Sequence, residues 1–557
     1  MTKYFFLDQH GCAKNQVDGE LIIGILTGLG WCKTAEPEQA HLIIVNSCGF
    51  IEPAKRESIE AVVTARAAYP YAKILLAGCL AERYGDIFQT DFEEADAFFG
   101  NGDLSQLPLL IAELFPEPET GGSSNKAAVS VASHTAPRPF IKPPQEGISC
   151  GVRPELLNFP RSAFIKITEG CNNCCTFCAI PLIRGSVRSR SIASIVDEIR
   201  DFVQKGYKEF NLIGQDLAVY EAESGWTALR TPLSVSANQK HQPLTGITAL
   251  NAVFTPVPVQ RAAGKTAAVT DTASASGVGH KQDRSRRKEP QPELSGLARL
   301  LQAISALTGD FSVRLLYIHP DHFPLDILPI MTADTRFLPY FDIPFQSGSK
   351  AIIHAMNRCG SAAVYLEMVE KIRAAFRNAH SPYGEAVIRT TFLTGFPGET
   401  QEDFEQTAAF LQAVQSLWSG AFVYSREEGT KAALMKKRVP VKIAEKRKEL
   451  LNELQLHITE EKLAAFCGAE LTVLIEEVIP QSESADISGS TSAEYDDSRI
   501  ALGRAWFQAP EVDGAVVVNF SESQKDTEGN PIQPGSTVRV RITALRGIDL
   551  EADVLNQ

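Results

Sequence analysis

The stretch that decides the fold and the chemistry of this chain reads Ile165-Lys-Ile-Thr-Glu-Gly-Cys171-Asn-Asn-Cys174-Cys175-Thr-Phe-Cys178. A short β-rich run leads into a loop in which Cys171, Cys175 and Cys178 follow the spacing Cys-x-x-x-Cys-x-x-Cys. This spacing brings three thiolates within reach of one iron-sulfur cluster. Three ligands for a four-iron cube leave one iron open to a reactant, whereas an electron-transfer cluster has four cysteine ligands. We therefore predict an enzyme.

Other interpretations of these cysteines stay open. A structural zinc site would need a fourth ligand and usually shows paired Cys-x-x-Cys knuckles. Inert buried cysteines are a further alternative, although they would not be expected to crowd into eight positions of one loop. Cys174 also permits the spacing Cys-x-x-Cys-x-x-x-Cys, in which it replaces Cys175 as a ligand.

Composition indicates a multi-domain protein of the cytoplasm. The chain has 557 residues, of which 44% are hydrophobic, so three or four domains are expected. Eleven cysteines, without an apolar run at the start that resembles a signal peptide, favour metal or redox chemistry over disulfides. No stretch approaches the roughly 20 apolar residues of a membrane span. The net charge of -13 argues against broad adhesion to nucleic acid or anionic membrane.

Residues 1–115 alternate between strand and helix patterns. Short β-rich runs, each followed by a turn and a helical pattern, occur at Lys3–Asp8, Leu42–Asn46 and Ile74–Ala77. This alternation predicts a parallel sheet with crossover helices. Cys12, Cys48 and Cys79 each follow one of these runs, so we expect them at the C-terminal edge of the sheet, where such folds assemble ligand sites. Three thiols there predict a second metal centre.

A predicted linker, residues 116–160, is rich in Pro, Gly, Ser and Ala and separates this region from the next. Residues 161–466 resume the alternation, with candidate strands near Ala163, Glu209, Ser312, Leu338, Ala386 and Gly420. Helical stretches between them are Ile192–Gln204, Leu294–Leu307, Val364–Arg377 and Glu402–Gln415. Six β-α units predict a barrel, open or closed, with its active site at the C-terminal ends of the strands.

Two further segments have distinct compositions. Residues 221–293 are rich in Ala, Thr, Ser, Val and Pro, and predict a disordered insertion in a surface loop. Its basic run at 280–288 is interpreted as a solvated charge cluster, with a nucleic-acid contact as the alternative. The helix predicted at 442–466 leads into a last domain, 467–557. That domain has alternating runs at Leu471–Ile475, Ala515–Phe520 and Thr537–Ala544, which predict a small antiparallel β-barrel. The acidic stretch 481–498 divides these runs.

The cysteine loop, with Phe177 before its last cysteine, resembles the cluster loop of radical S-adenosylmethionine enzymes. In that superfamily the open iron binds S-adenosylmethionine, and an electron from the reduced cluster splits it to a 5′-deoxyadenosyl radical. Gly214-Gln215-Asp216, after the second barrel strand, resembles the motif that receives the amino group of S-adenosylmethionine. Gly395 and Gly398, after the fifth strand, would let the backbone approach this cofactor closely. The alternative for Gly214-Gln215-Asp216 is an ordinary polar loop. The alternative for Gly395 and Gly398 is a tight strand-to-helix turn.

Three N-terminal segments resemble the motifs of the methylthiotransferase family, in the same order: Gly11–Glu20, Val45–Ile51 and Ala77–Tyr84. The resemblance implies that Cys12, Cys48 and Cys79 hold an auxiliary 4Fe-4S cluster that carries or delivers sulfur. Three small buried thiols are the alternative. It also implies an α/β fold with three parts: an N-terminal parallel-sheet domain, an open (β/α)6 TIM-like radical S-adenosylmethionine barrel and a C-terminal TRAM barrel.

Within this family the chain is most similar to the branch that methylthiolates an aspartate of the twelfth small-subunit ribosomal protein. The stretches that carry this similarity are Ile213–Asp216, Phe341–Gln346 and Leu502–Gly514. Gln346 is accordingly a candidate cofactor contact. The run Ser347-Gly-Ser349 is more like the branch that modifies an adenosine of transfer RNA, and Cys174 stands where the family commonly has a basic residue.

The resemblance implies a reaction and its partners. The adenosyl radical would remove hydrogen from the aspartate β-carbon, sulfur from the auxiliary cluster would join that carbon, and a second S-adenosylmethionine would supply the methyl group. The resemblance also implies a reductant such as flavodoxin or ferredoxin. It implies no catalytic residue beyond the cluster ligands. Residues 467–557 hold sixteen acidic and six basic residues. Because phosphate binding requires basic residues, this balance favours a basic ribosomal protein as substrate. Methylthiolation of transfer RNA is the alternative, and a non-catalytic iron-sulfur protein the remote one.

Overall fold

The computed structural model describes residues 2–116, 137–221, 294–480 and 498–555. Residues 117–136 of the predicted linker, nearly all of the insertion predicted at 221–293 with its basic run, and nearly all of the stretch 481–498 therefore lie outside the described residues. Among the helices of the described ranges, none has the length and apolarity that crossing a membrane requires.

The N-terminal region is a parallel sheet of six strands in the order β2-β1-β3-β4-β5-β6. The strands are β1 Lys3–Gln9, β2 Trp31–Lys33, β3 Leu42–Ser47, β4 Lys73–Gly78, β5 Ala97–Phe99 and β6 Phe140–Ile141. The helices are α1 Ala13–Gly28, α2 Glu52–Ala68, α3 Cys79–Asp91 and α4 Leu107–Leu114. The three predicted strands are confirmed as β1, β3 and β4. The sheet is covered on both faces, which is why β3 is buried along its whole length.

The second sheet also has six parallel strands, in the order β14-β13-β12-β11-β10-β7, and its two edge strands do not pair. The strands are β7 Ser162–Lys166, β10 Glu209–Ile213, β11 Ser312–Leu315, β12 Phe337–Asp342, β13 Val387–Thr394 and β14 Trp418–Val423; a small ladder pairs β8 Thr168–Glu169 with β9 Arg188–Ser189. This is the predicted open six-stranded arrangement. The helices are α5 Ile180–Ile183, α6 Ile192–Gln204, α7 Gly296–Ser305, α8 Leu328–Ala333, α9 Lys350–Ala355, α10 Ala362–Asn378, α11 Gln401–Val414 and α12 Val441–Ala464.

The two faces of this sheet differ in polarity, as alternation along a strand allows. Ala163 and Ile165 pack on the outer face against the helices. Phe164 belongs to a different core that extends into the N-terminal sheet and the C-terminal barrel. The inner face also carries buried charged residues, among them Lys166 and Arg314. Because this concave face is polar and buried, the N-terminal helix α1 and the C-terminal domain must supply its partners.

The C-terminal domain is a closed five-stranded barrel in the order β15-β16-β17-β19-β18. Its strands are β15 Glu470–Ile479, β16 Ser498–Arg504, β17 Val516–Ser521, β18 Thr537–Arg546 and β19 Asp549–Val554. Four neighbouring pairs are antiparallel, as predicted, but β17 and β19 run parallel. A closed ring with an odd number of strands cannot alternate direction throughout, so one parallel pair is required.

The C-terminal barrel contacts the inner face of the second sheet through buried ion pairs. Arg504 and Arg314 both contact the carboxylate of Glu209, at 3.1 and 3.2 Å. Burial raises the pKa of Glu209, but the two guanidinium groups outweigh it and hold the pKa at about 2. The hydroxyl of Tyr340 donates to Asp513 at 2.6 Å. The stretch predicted to distinguish the branch, Leu502–Gly514, therefore fixes the barrel to the sheet.

Candidate functional site

The first cysteine triplet lies in the loop between β8 and α5, at the C-terminal end of the second sheet. The backbone N–H of Cys171 donates to the carbonyl of Gly185 at 3.1 Å, and that of Thr176 donates to Met356 at 3.0 Å. Gly170, which precedes the loop, has φ of 74°, and a Cβ there would overlap the carbonyl oxygen of Ser186. Only glycine fits this position. The loop is therefore held by the segments on both sides of it.

The three thiols of this loop lie close enough to influence one another. Burial, together with the neighbouring Cys175, raises the pKa of Cys178 to about 12, and burial also raises the pKa of Cys171 well above its usual range. The Cys175 sulfur lies 3.8 Å from His319 Nε2, and burial lowers the pKa of His319 well below its ordinary value. Iron binding would therefore release protons from Cys171 and Cys178.

Cys174 forms the corner of this loop. Its φ of 52° lies in the left-handed region, and its carbonyl accepts a hydrogen bond from the Asn357 side chain at 3.3 Å. By contrast, the Cys175 sulfur is next to His319 and interacts with the buried guanidinium of Arg358. These contacts favour the set Cys171, Cys175 and Cys178 over the alternative that contains Cys174. The ligand set itself stays a prediction.

The second triplet is assembled from three strand ends of the N-terminal sheet. Cys12 precedes α1, Cys48 follows β3, and Cys79 is the first residue of α3. A Cβ built on Gly11 would lie 3.2 Å from Cys48 Cβ, and one on Gly49 would lie 2.6 Å from the carbonyl oxygen of Cys79. The order of β1, β3 and β4 in the sheet brings the cysteines to one edge, as the sequence predicts.

The electrostatic surroundings of these thiols are unequal. Burial raises the pKa of Cys48 to about 12 and also raises the pKa of Cys79. Cys12 is exposed. Desolvation raises the pKa of Cys12, but the positive charges of Lys14 and Arg184 outweigh it and lower that pKa. The nearby cations therefore favour the thiolate of Cys12, whereas burial disfavours the thiolates of Cys48 and Cys79.

Arg184 connects the two triplets. It directly follows α5, next to the first loop, yet its guanidinium lies 3.3 Å from the Cys79 sulfur of the second triplet. The same fully buried guanidinium pairs with Asp18 at 3.0 Å and Glu169 at 2.7 Å. Lys166 contacts both carboxylates in turn. This buried network of two cations and two carboxylates joins α1 to the second sheet.

Sequence reasoning does not predict this network. Asp18 lies within a predicted motif, and Lys166 and Glu169 lie in the decisive stretch, but no spacing rule connects them with Arg184. One signal is present in α1, where every residue from Ala13 to Glu20 is buried although most of them are polar. A helix that is polar and buried must face polar or charged partners.

The donor groups fit iron-sulfur clusters better than a single ion. Within the described ranges, no three His, Cys, Asp or Glu side chains converge closely enough to hold one metal ion. The thiolates of a four-iron cluster lie farther apart, because each binds a different iron. Two sets of three cysteines, which are soft ligands, match that chemistry.

The candidate S-adenosylmethionine contacts after the second barrel strand are tied to the first loop. The Asp216 carboxylate accepts hydrogen bonds from the Asn173 side chain at 2.7 Å and from the backbone N–H of His319 at 3.1 Å. Gln215 donates to Glu169 at 3.2 Å, and its own buried carbonyl oxygen lacks a partner in the described chain. A Cβ at Gly214 would overlap the Thr168 hydroxyl. The structure thus gives Asp216 a loop-holding contact, and Gln215 a buried acceptor without a partner in the described chain.

The remaining candidates lie at the ends of β12 and β13. Gln346 adopts φ of 70° and exchanges backbone hydrogen bonds with Thr391 and Leu393, each 2.8 Å long. Gly395 and Gly398 have φ of 78° and 93°. A cavity of about 200 Å³ adjoins Gly395, and Pro397, Tyr424 and Arg438 line it. These residues share the C-terminal edge with the first triplet, and their contact with a cofactor stays a prediction.

Comparison with known protein families agrees with this architecture. Residues 4–100 match a family described as uncharacterized protein family UPF0004, residues 165–231 match the radical SAM superfamily, and residues 467–555 match the TRAM domain. Among solved structures, the radical S-adenosylmethionine methyltransferase TsrM from Kitasatospora setae is 11% identical, with a TM-score of 0.47 over 78% of this chain and 77% of that chain. The family matches and the six-stranded open sheet define the chain as a radical SAM protein with a TRAM domain.

Curated relatives narrow this class. The chain is 52% identical to the ribosomal protein uS12 methylthiotransferase RimO of Treponema denticola, over 98% of this chain and 99% of that protein. It is 31% identical to RimO of Aquifex aeolicus over 97% and 94% of the two chains, and 30% identical to RimO of Thermotoga maritima over 91% and 92%. The chain belongs to the RimO family.

Proposed function

We propose that this protein methylthiolates the β-carbon of an aspartate in ribosomal protein uS12, with two 4Fe-4S clusters and S-adenosylmethionine as cofactors. The observation that carries the proposal is the contact of Arg184, six residues after Cys178, with Cys79 of the second triplet, in a chain similar to RimO over nearly its whole length. Methylthiolation of transfer RNA is not favoured, because the relatives described above are all named for the ribosomal protein.

The chain's own residues would divide the work. When bound, the clusters and S-adenosylmethionine would supply a 5′-deoxyadenosyl radical, sulfur and a methyl group. Cys171, Cys175 and Cys178 would hold one cluster, and Cys12, Cys48 and Cys79 the other. Arg184, next to the first loop and in contact with Cys79, would fix the distance between them. Because α1 and the second sheet bury this network, the site would also exclude water.

The TRAM domain would bind the substrate, and flavodoxin or ferredoxin would be the reductant. The described residues of the C-terminal domain, 467–480 and 498–555, hold eleven acidic and six basic residues. Arg504, one of the six, is buried and paired with Glu209 and Glu476. The accessible charge is therefore acidic, which suits a basic protein better than RNA. We propose the domain limits 1–115, 161–466 and 467–557, with Phe140–Ile141 of the intervening segment contributing strand β6 to the N-terminal sheet.

Product analysis tests the proposal. Protein purified and reconstituted without oxygen is reduced with dithionite and incubated with S-adenosylmethionine and either purified uS12 or transfer RNA. We expect mass spectrometry to find a methylthio group on one aspartate of uS12 and no modified RNA. Methylthio-adenosine in the RNA, with unmodified uS12, would contradict the proposal. The matched control is uS12 with that aspartate changed to alanine, which should stay unmodified.

A further inference from the structure

Lys14 is an exception among the buried lysines of the described chain. Three lysines are buried there, namely Lys14, Lys55 and Lys166. Lys55 pairs with Glu427 at 2.8 Å, and Lys166 pairs with Glu169 at 2.7 Å and also with Asp18. Lys14 is 7% exposed and forms no ion pair with any described residue. Because a buried charge is normally paired, the unpaired ammonium of Lys14 requires an explanation.

The ammonium instead lies against an aromatic ring. Lys14 Nζ is 3.5 Å from the centre of the Tyr317 ring, close enough for a cation-π contact. Tyr317 has φ of 70°, a conformation that costs energy for a bulky residue and is concentrated at functional sites. Such a contact gives the three N–H donors of the ammonium no carboxylate acceptor among the described residues, although the ammonium interacts electrostatically with the nearby Cys12.

This ammonium lies between the elements that carry the two triplets. Lys14 follows Cys12 by two residues, and Tyr317 precedes His319, whose Nε2 is 3.8 Å from the Cys175 sulfur. Cys12 is exposed and Tyr317 is half-buried, so this side of the site is accessible. The nearby carboxylate Asp342 is already engaged by Arg389 at 3.3 Å. The contact between Lys14 and Tyr317 therefore joins the segment that carries Cys12 to the segment whose His319 contacts Cys175.

We infer that Lys14 binds the carboxylate of the substrate aspartate and holds its β-carbon between the two triplets. The inference rests on the proposed function. An aspartate carboxylate is directly bonded to the β-carbon, so an ammonium that binds it fixes the carbon that reacts. The site would then distinguish aspartate from asparagine, because only the carboxylate neutralises the buried charge.

The opposing explanation is that the auxiliary cluster itself balances the charge of Lys14. The first triplet offers a parallel case, in which Cys175 interacts with the buried guanidinium of Arg358. The two explanations differ in one measurable property. A cluster counter-charge leaves the preference for aspartate unchanged when Lys14 is replaced. A carboxylate receptor loses that preference.

Binding of uS12 tests the inference separately from turnover. The probes are purified uS12 and uS12 whose modified aspartate is changed to asparagine, and the dissociation constants are measured with cluster-loaded protein and S-adenosylmethionine but without reductant. We expect the unaltered protein to prefer the aspartate form by about tenfold to a hundredfold, as a charged buried hydrogen bond would give. Lys14→Met should bind both forms equally, and Lys14→Arg should keep part of the preference.

Three controls accompany the binding measurement and show which explanation its result supports. Lys371→Met, on an exposed i,i+4 pair, should behave like the unaltered protein. Iron content and unfolding temperature show whether Lys14→Met is folded, and Lys14→Gln replaces it if it is not. If the unaltered enzyme modifies uS12 but the folded Lys14 variant keeps the aspartate preference, this inference fails while the proposed function stands. If the unaltered enzyme does not modify uS12, both fail.

Discussion

The two cysteine triplets are built in different ways. Cys171, Cys175 and Cys178 come from one loop, which Gly170 and hydrogen bonds to Gly185 and Met356 hold in shape. Cys12, Cys48 and Cys79 come from the ends of three strands and meet only when the sheet has formed. One site depends on local loop geometry and the other on strand order. We therefore expect the two sites to fail independently, except where Arg184 joins them.

The largest effect is expected from removing the local triplet. Changing Cys171, Cys175 and Cys178 together to alanine should abolish cleavage of S-adenosylmethionine, because Cys174 would be the one thiol left in the loop and could not hold the cluster alone. Liquid chromatography of 5′-deoxyadenosine measures this directly. Cleavage that persists in the folded variant would show that the loop does not bind the radical-generating cluster. Cys359→Ala, an exposed cysteine outside both triplets, serves as the control.

Removing the assembled triplet should have a narrower effect. With Cys12, Cys48 and Cys79 changed to alanine, the protein should still form 5′-deoxyadenosine but should add no sulfur to uS12. The two products are quantified in the same reaction by mass spectrometry. Full sulfur insertion by this variant would show that the cysteines of the N-terminal sheet do not supply the sulfur. Loss of both products would show that the two sites are not independent.

Arg184→Met tests the connection between the sites. The change leaves one cation, Lys166, to face the buried carboxylates of Asp18 and Glu169. Breaking a buried ion pair by removing one partner typically costs about 3–5 kcal/mol, so the free energy of unfolding should fall by that amount. Denaturant titration measures it.

The matched control for Arg184 is Arg200→Met, whose exposed pair with Asp197 should change stability by no more than about 0.5 kcal/mol. Equal stability of the two variants would mean that the buried network does not join the domains.

Two glycine substitutions should affect one triplet each. Gly170→Ala would clash with Ser186 beside the local triplet, and Gly49→Ala would approach the Cys79 carbonyl beside the assembled one. Gly206, whose φ is 85°, has no atom near its missing Cβ, so Gly206→Ala measures backbone strain alone, about 1 kcal/mol. We expect Gly170→Ala to cost about 1–3 kcal/mol more than that, and to lower 5′-deoxyadenosine formation.

Gly49→Ala should instead lower sulfur insertion while 5′-deoxyadenosine formation persists. Parallel assays of both products in the three glycine variants decide this. If Gly49→Ala and Gly170→Ala weakened both products equally, the two sites would share a structural support other than Arg184.

The same contrast explains what can be predicted from the sequence. The local triplet follows from spacing alone, because its cysteines lie within eight residues. The second requires a strand order, and the alternation of strand and helix patterns supplies it. The partners of Arg184 cannot be predicted in this way. Arg184 lies 166 residues from Asp18 and 105 from Cys79 along the chain, and no periodicity relates such positions.

Other features escape prediction because they are short or depend on closure. Strands β2, β5 and β6 have two or three residues, too few for an alternating pattern. Strand β6 lies within the predicted linker and forms only because β5 is available as its partner. The parallel pair in the C-terminal barrel arises from the number of strands that close the ring. The short strands, the strand within the predicted linker and the parallel pair therefore all depend on tertiary partners.

The most direct test of this account is the iron content of each triplet variant, with Mössbauer spectra to identify the cluster type. Two four-iron clusters predict about eight irons in the reconstituted protein and about four in either triple-alanine variant. The four that remain should have the spectrum of a 4Fe-4S cluster in both cases. If the variant without Cys12, Cys48 and Cys79 kept about eight irons, or if the unaltered protein held only about four, the two-cluster account would be contradicted.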